Sequence, residues 1–228
     1  MNKNKDYIKD VIQWDIKTWY QAIHFWEENF KIKAKMSALV LGEREGGLSL
    51  WFALKGLKVT CTDIKQFSEK TFQLHKKYSI NSEITYNGEL DMTDLSQYPD
   101  NHFDIISFKS VLGALSTKDQ QQKAINEMKR VLKPDGAILF AENLQGSLLH
   151  QLFRKKFITW NSYWRYLNIK SDKDLFSEYK FINLKTFGFL ATFGRSENQK
   201  SILFRFDSIF RLLTPKSWRY VISGVLKK

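Results

Sequence analysis

An alternation of short apolar runs with helical segments is the feature that most constrains this fold. Residues 38–41, 57–62 and 103–108 form apolar or β-rich runs of strand length. Two further runs at 83–86 and 137–143 bring the expected number of strands to five, and the segments between them have the spacing of helices. Strands that alternate with helices in this way predict a parallel, doubly wound α/β sheet.

The two ends of the chain depart from this alternation. Residues 7–30 place apolar and aromatic side chains at helical spacing, which predicts an N-terminal helical extension over 1–36. The alternation stops after Asn143. There the sequence predicts a helical stretch over 147–168, a strand over 180–187, a helix over 201–213 and a last strand over 218–226. We expect a single domain over 1–228, with its core at 37–143 and a C-terminal part at 144–228.

The net charge of +12 is concentrated near the C-terminus. Residues 151–228 carry 16 Lys and Arg against 5 Asp and Glu, whereas residues 1–150 carry 20 against 19. The same C-terminal segment holds 17 of the 34 aromatic residues. This composition suits anionic partners such as phosphates, nucleic acid or lipid headgroups. A solvated basic face over an aromatic core explains it equally well.

Cysteine content and hydropathy bear on the compartment. Cys61 is the single cysteine, so the chain has no internal disulfide and no multi-cysteine zinc site. No apolar run approaches the roughly 20 residues needed to span a bilayer. We therefore expect a cytoplasmic protein.

A glycine-rich turn and a later carboxylate carry the first indication of function. Gly42, Gly46 and Gly47 lie where the first strand passes into a helix, so backbone N–H groups there can face an anionic or polar ligand. Asp63 ends the next strand, where a carboxylate can accept hydrogen bonds from ribose hydroxyls. Taken one at a time, the glycines are explained by a tight turn and Asp63 by a solvated strand end. Together and in this order they favour a nucleotide-type cofactor, and the glycine pattern alone does not exclude NAD.

Residues 37–143 resemble class I S-adenosylmethionine-dependent methyltransferases. The turn at 42–47 is similar to the first motif of that family, and residues 103–115 to its fourth strand. Residues 128–143 (MKRVLKPDGAILFAEN) are similar to its helix, turn and fifth strand, with the turn expected at 133–136. The resemblance implies a Rossmann-like, mostly parallel seven-stranded sheet of order 3-2-1-4-5-7-6. Residues 37–143 would then bind the cofactor, and 144–228 would supply a substrate-covering insertion and the last two strands.

The resemblance also implies a cofactor and its binding residues. Asp63 corresponds to the acidic residue that binds the ribose, and Asp91 with Met92 to the segment that holds the adenine. Lys109 follows the fourth strand and is expected near the reactive end of the cofactor. The residues expected to bind S-adenosylmethionine are Gly42, Glu43, Arg44, Gly46, Gly47, Asp63, Ile64, Asp91, Met92 and Lys109.

Two positions depart from the family pattern. Val40 stands where an acidic residue is usual, and Arg44 stands where a second glycine is usual. Glycine there lets the backbone approach a ligand without a Cβ. One interpretation has Arg44 pairing with the methionine carboxylate while Glu43 or Glu45 receives the ammonium group. In the other interpretation, Glu43, Arg44 and Glu45 are surface charges at the start of the helix.

The acceptor site is less constrained by the sequence. Methyl transfer from a sulfonium mainly requires alignment and exclusion of water, so a catalytic base is optional. His24 and His150 are candidates for such a base, and each is also explained as an ordinary helical histidine. The residues that could line the acceptor pocket, or could equally be core aromatics and surface polar residues, are Trp14, Trp19, Ser110, Tyr163, Trp164 and Arg165.

The sequence limits the class of acceptor without identifying it. It has no Asn-Pro-Pro-Tyr-like run and no catalytic cysteine motif, which disfavours methylation of nucleic-acid bases. We expect a small or lipid-linked, anionic acceptor, with peripheral contact to an anionic membrane surface. An RNA methyltransferase that uses its basic C-terminal third, and a non-catalytic Rossmann-like binding protein, remain open alternatives.

Overall fold

The chain folds around a seven-stranded sheet with helices on both faces, seen in a computed structural model that describes residues 3–210 and 212–228. The strands are β1 (Ser37–Leu41), β2 (Lys58–Thr62), β3 (Ile84–Asn87), β4 (Phe103–Lys109), β5 (Leu132–Asn143), β6 (Phe181–Phe187) and β7 (Val221–Lys227). Their order is β3-β2-β1-β4-β5-β7-β6. The first five strands are parallel, and β7 runs antiparallel between β5 and β6. The predicted fold class and strand order are confirmed.

In the described residues, seven α-helices connect and cover these strands. They are α1 (Lys3–Ile12), α2 (Ile16–Asn29), α3 (Gly47–Leu54), α4 (Glu69–Lys77), α5 (Lys118–Val131), α6 (Leu148–Phe157) and α7 (Glu197–Phe210). One face of the sheet packs against α1, α2 and α3, with Trp26 and Phe52 fully buried. The other face packs against α5 through Ile125 and Met128. Both faces of the parallel strands are therefore covered, which explains why β1 is an almost uninterrupted apolar run.

The segments at 133–136 and 147–168 differ from the sequence-based expectation. The Lys-Pro-Asp-Gly segment at 133–136 was expected as a turn before the fifth strand, but it lies inside β5 as an irregularity. There Phe103 pairs with Leu132 and pairing resumes at Ile105 and Ala137. The helical stretch expected over 147–168 ends at Phe157 in α6 and continues as a short 3-10 turn at Thr159–Ser162.

The helix expected over 201–213 is α7, which begins four residues earlier, at Glu197, and ends at Phe210. Residue 211 lies outside the described residues. In the described part of the chain, no helix is both long enough and apolar enough to cross a membrane.

Candidate cofactor and acceptor site

The carboxyl ends of β1, β2 and β4 bring the predicted cofactor residues to one edge of the sheet. Because these strands are parallel neighbours, the glycine turn after β1, Asp63 after β2 and Lys109 at the end of β4 lie side by side. The Leu90 N–H donates to the Asp63 carbonyl oxygen at 2.9 Å, which holds the segment containing Asp91 against the end of β2. The fold thus gathers residues that are far apart in the sequence.

The end of β2 has the chemistry of a nucleoside-binding edge. Asp63 is partly exposed, and its two carboxylate oxygens accept backbone N–H groups from Arg44 at 2.8 Å and Lys65 at 3.0 Å. Each oxygen keeps a second lone pair for another donor. Ile64 beside it is 61% exposed, and the Asp91 carboxylate is exposed as well. Met92 is buried behind them.

The glycine turn accommodates Arg44 in a strained conformation. The φ angles are 65° at Gly42, 46° at Arg44 and 80° at Gly46, so all three residues adopt the left-handed conformation. The Arg44 side chain is exposed, and none of the ion pairs found in the described residues includes it. The Arg44 guanidinium has no carboxylate partner there, and its positive charge contributes to lowering the pKa of the nearby Lys109 amine.

Glu43 points the opposite way, into the protein. It is buried, and its oxygens accept the Leu48 N–H at 3.2 Å and the Ser49 N–H at 2.7 Å. Burial raises the pKa of Glu43 to about 7. The first N–H groups of α3, which the sequence suggested would face a ligand, are thus engaged by the protein's own carboxyl group.

Lys109 lies at the end of the crevice that is covered by the α1–α2 connection. Its Nζ donates to the Ile12 carbonyl oxygen at 3.0 Å and lies 3.2 Å from the centroid of the Trp14 ring. Trp19 packs edge-on against Trp14, with ring centroids 6.0 Å apart. Burial lowers the pKa of the Lys109 amine to about 7, despite the nearby Glu43. The Lys109 amine therefore lies against Trp14, which packs on Trp19; both aromatics were expected in the acceptor pocket.

Glu142 is a residue that sequence reasoning missed. It is fully buried at the end of β5 and accepts the N–H groups of Val111 at 2.8 Å and Leu112 at 2.7 Å. Its neighbour Asn143 donates to the Ser110 hydroxyl at 2.6 Å. Together they fix the loop after β4. The sequence did contain a signal for its role, because Glu142 is an acidic residue in an otherwise apolar strand.

The two histidines occupy different environments. His24 is exposed on α2 and packs edge-on against Tyr20. His150 is buried, where its Nδ1 accepts the Ser147 N–H at 3.0 Å and its Nε2 lies 2.8 Å from the Phe189 carbonyl oxygen. Burial lowers the pKa of His150 to about 4. Both ring nitrogens of His150 are thus used to cap α6 and to hold the chain near Phe189.

The remaining acceptor-pocket candidates lie beyond β4 and β5. Tyr163 is exposed, whereas Trp164 packs on Gly113, where a Cβ would clash with the indole ring. The Arg165 backbone N–H donates to the Gly113 carbonyl oxygen at 2.8 Å. Trp164 and Arg165 line a cavity of about 560 Å³ that lies next to the crevice and contains none of the cofactor candidates.

The strand order, with β7 antiparallel between β5 and β6, is that of the Rossmann-like methyltransferase fold. Residues 39–140 match the family model described as a methyltransferase domain. The resemblance inferred from the sequence is thereby confirmed for the part of the chain that contains β1 to β5.

Individual proteins with the same architecture are distant or only partly matched. A curated relative, the probable methyltransferase ltbC of Aspergillus luteorubrus, is 42% identical over 48 residues, which is 21% of this chain and 17% of that protein. Phosphoethanolamine N-methyltransferase 2 of Haemonchus contortus, solved with S-adenosyl-L-methionine, superimposes with a TM-score of 0.64 at 15% identity. That match covers 92% of this chain and 52% of the nematode enzyme, so the chain spans about half its length.

A third protein matches over nearly its whole length. A SAM-dependent methyltransferase from Archaeoglobus fulgidus superimposes with a TM-score of 0.62 at 12% identity. The match covers 92% of this chain and 94% of the archaeal one. At this level of identity the structural matches establish the fold.

Proposed function

We propose that this protein transfers a methyl group from S-adenosylmethionine to a small or lipid-linked, anionic acceptor in the cytoplasm. The observation that carries the proposal is the edge at the end of β2, where the Asp63 carboxylate lies beside an exposed isoleucine and the Asp91 segment. The match of residues 39–140 to methyltransferase domains supports it. The name of the phosphoethanolamine enzyme describes an acceptor of the same anionic class.

The residues at this edge fit the proposed cofactor by their chemistry. Asp63 would accept the ribose hydroxyls through its free lone pairs. Asp91 would accept the adenine amino group, with Ile64 and Met92 against the base. Lys109 would donate to the methionine carboxylate, and that carboxylate would favour the protonated, positively charged form of the amine. When bound, the cofactor supplies an activated methyl group on a sulfonium, which the protein does not need to activate further.

The chain's own contribution is orientation and exclusion of water. Trp14 covers Lys109, and Glu142 fixes the loop that follows β4. Alignment of reacting atoms in a closed site is a large source of rate enhancement in two-substrate reactions. We assign no general base, because His150 is a capping residue and His24 is on the exposed side of α2.

Calorimetric titration with S-adenosylmethionine and S-adenosylhomocysteine tests the proposal. We expect binding of both, and an Asp63→Ala variant should weaken it by roughly 1–3 kcal/mol because buried ligand hydroxyls lose their acceptor. Asp135→Ala is the matched control, since it removes an exposed carboxylate near the start of β5 at the opposite edge. Absence of binding, or equal loss in both variants, would reject the proposed site.

The surface around α6 supports the lipid-linked part of the proposal. Leu148, Leu149 and Leu152 project from α6 and are 60–76% exposed, next to Lys155 and Lys156. On α7, Ile202 and Ile209 are exposed as well. An amphipathic surface with apolar side chains and adjacent lysines suits the interface of an anionic membrane. We propose that this surface docks on such a membrane.

A further inference from the structure

The cavity beside the crevice has the features of a binding site for an anion. Its walls come from α6 and from the segment 161–172, and they include Gln151, Arg154, Lys155, Trp164, Arg165 and Tyr166. The segment is anchored to the loop after β4, because Trp164 and Arg165 both contact Gly113. The cavity therefore opens at the same edge of the sheet as the proposed methyl-transfer site.

Arg154 is the most unusual residue of this cavity. It is only 5% exposed, and one of its terminal nitrogens, Nη1, donates to the carbonyl oxygens of Leu144 at 2.8 Å and Gln145 at 3.0 Å. Its guanidinium carbon lies 4.1 Å from the centroid of the Tyr166 ring. Among the residues that the structure describes, no carboxylate forms an ion pair with it.

A buried guanidinium without a counterion is costly. Arginine stays charged at any ordinary pH, so burial cannot be relieved by loss of a proton. Two carbonyl oxygens and one aromatic face use only part of its five N–H donors. An anion in the cavity would supply the missing negative charge and accept the unused donors.

The other charges in the cavity add to this preference. Arg165 pairs with Asp172 at 2.6 Å, so that carboxylate is already neutralised. Lys155 is exposed at the rim and adds a further positive charge. The buried indole N–H of Trp164 has no hydrogen-bond acceptor among the described residues. The cavity thus has three cations against one carboxylate, whereas the Trp164 indole N–H packs against Gly113.

We propose that this cavity binds a phosphate group, with the Arg154 guanidinium as its main ligand and Lys155 at the rim. A phosphate presents several oxygens and up to two negative charges, which matches donors arriving from different walls better than a single carboxylate does. That the phosphate belongs to the methyl acceptor rests on the proposed function. Binding of phosphate itself does not.

Thermal unfolding with and without inorganic phosphate, at constant ionic strength, tests the site without any cofactor. We expect phosphate to raise the Tm of the wild type and of Lys156→Met, which removes the neighbouring exposed lysine outside the cavity. Arg154→Met should bind phosphate at least about tenfold more weakly, because a charge-assisted hydrogen-bond donor is lost. An equal shift in Arg154→Met and the wild type would overturn the proposal.

A second variant keeps the test valid if Arg154→Met does not fold. Gln151 lies one helical turn before Arg154 and lines the same cavity. Gln151→Glu should place a carboxylate beside the guanidinium, raising the Tm without phosphate and abolishing the phosphate-induced shift. A Gln151→Glu protein that is still stabilised by phosphate as strongly as the wild type would contradict the proposal.

Two further measurements identify the source of the phosphate and test the phosphate site separately from methyl transfer. Competition by soluble glycerol phosphate against binding to phosphatidylglycerol vesicles identifies a lipid headgroup as an occupant of the cavity. Vesicle binding that glycerol phosphate does not affect assigns the cavity to soluble phosphates.

Calorimetry with S-adenosylhomocysteine should give equal affinity for wild type and Arg154→Met. If the wild type binds phosphate but no S-adenosylhomocysteine, the proposed methyl transfer is rejected and the phosphate site is supported.

Discussion

Arg44 shows how a single residue can depart from a motif while leaving its backbone geometry in place. The turn after β1 needs a left-handed φ at this position, and Arg44 adopts 46° where glycine would be unstrained. Its N–H still reaches Asp63, because that hydrogen bond depends on the backbone and not on the side chain. The substitution therefore costs stability without removing the contact that orients Asp63.

Replacing Arg44 with glycine should stabilise the protein. We expect Arg44→Gly to raise the free energy of unfolding by about 1 kcal/mol, because the left-handed conformation no longer carries a Cβ penalty. Urea denaturation followed by circular dichroism measures the change. Glu45→Gly is the matched control: its φ is not positive, so glycine there should lower stability. A less stable Arg44→Gly protein would contradict this account of the turn.

Some site residues could be predicted from the sequence because their positions follow from strand ends. Gly42, Asp63 and Lys109 each come directly after or at the end of an apolar run, so a parallel sheet brings them together. The cover over Lys109 could not be predicted in the same way. It depends on contact with Ile12, which is 97 positions away and belongs to a helix with no recognised motif.

At the scale of elements, the start of α2 is held in place by the C-terminal part of the chain. The Glu197 carboxylate of α7 accepts the Asp15 N–H at 2.7 Å and the Ile16 N–H at 3.1 Å. The Tyr220 hydroxyl donates to the Asp15 carboxylate at 2.5 Å. Burial raises the pKa of Asp15 to about 6. These contacts fix the connection that covers the crevice.

Removing the Tyr220 hydroxyl should destabilise the protein in a pH-dependent way. The raised pKa means that Asp15 is mostly protonated at pH 5 and ionised at pH 8. Tyr220→Phe should therefore lower the free energy of unfolding by about 1.5–3 kcal/mol at pH 8, where an ionised buried carboxylate loses its donor, and by less at pH 5. Urea denaturation at both pH values measures the difference.

Tyr179→Phe is the control for this experiment. Its buried hydroxyl donates to a neutral acceptor, the Ile125 carbonyl oxygen, at 3.2 Å. The loss of stability in Tyr179→Phe should be the same at both pH values. An equal loss at pH 5 and pH 8 in Tyr220→Phe would show that the hydroxyl does not stabilise ionised Asp15.

Element boundaries were less predictable than element types, for reasons specific to each case. The helical pattern over 147–168 predicted one continuous element, but Trp164 docks on Gly113 and requires the chain to leave the helix. The turn expected at 133–136 became an irregularity of β5, because Leu132 pairs with Phe103 before the turn residues. In both cases a tertiary contact overrode the local pattern.

For the whole molecule, the order of the seven strands could be inferred from the resemblance, whereas the function of the C-terminal third could not. Its positive charge and aromatic residues were visible in the sequence, but their distribution between core and surface was not. The structure buries Arg154 and exposes the leucines of α6. Which residues of a basic, aromatic segment face solvent depends on how it packs against the sheet.

Flotation with liposomes tests the membrane contact proposed for α6. The double variant Leu148→Ser, Leu152→Ser should reduce recovery with phosphatidylglycerol vesicles at least about tenfold, because two apolar side chains no longer enter the interface. The control variant, Leu54→Ser with Phe72→Ser, changes exposed apolar side chains of α3 and α4. Equal flotation of wild type and the α6 variant, or none of the wild type, would refute the membrane contact.

A crystal structure of the protein grown with S-adenosylhomocysteine is the most direct test of the central claim. We predict that the nucleoside lies at the carboxyl edge of β1, β2 and β4, with its ribose hydroxyls on the Asp63 carboxylate and its methionine carboxylate near Lys109. A structure in which Asp63 contacts only the backbone N–H groups of Arg44 and Lys65, with the nucleoside bound elsewhere or not at all, would contradict it.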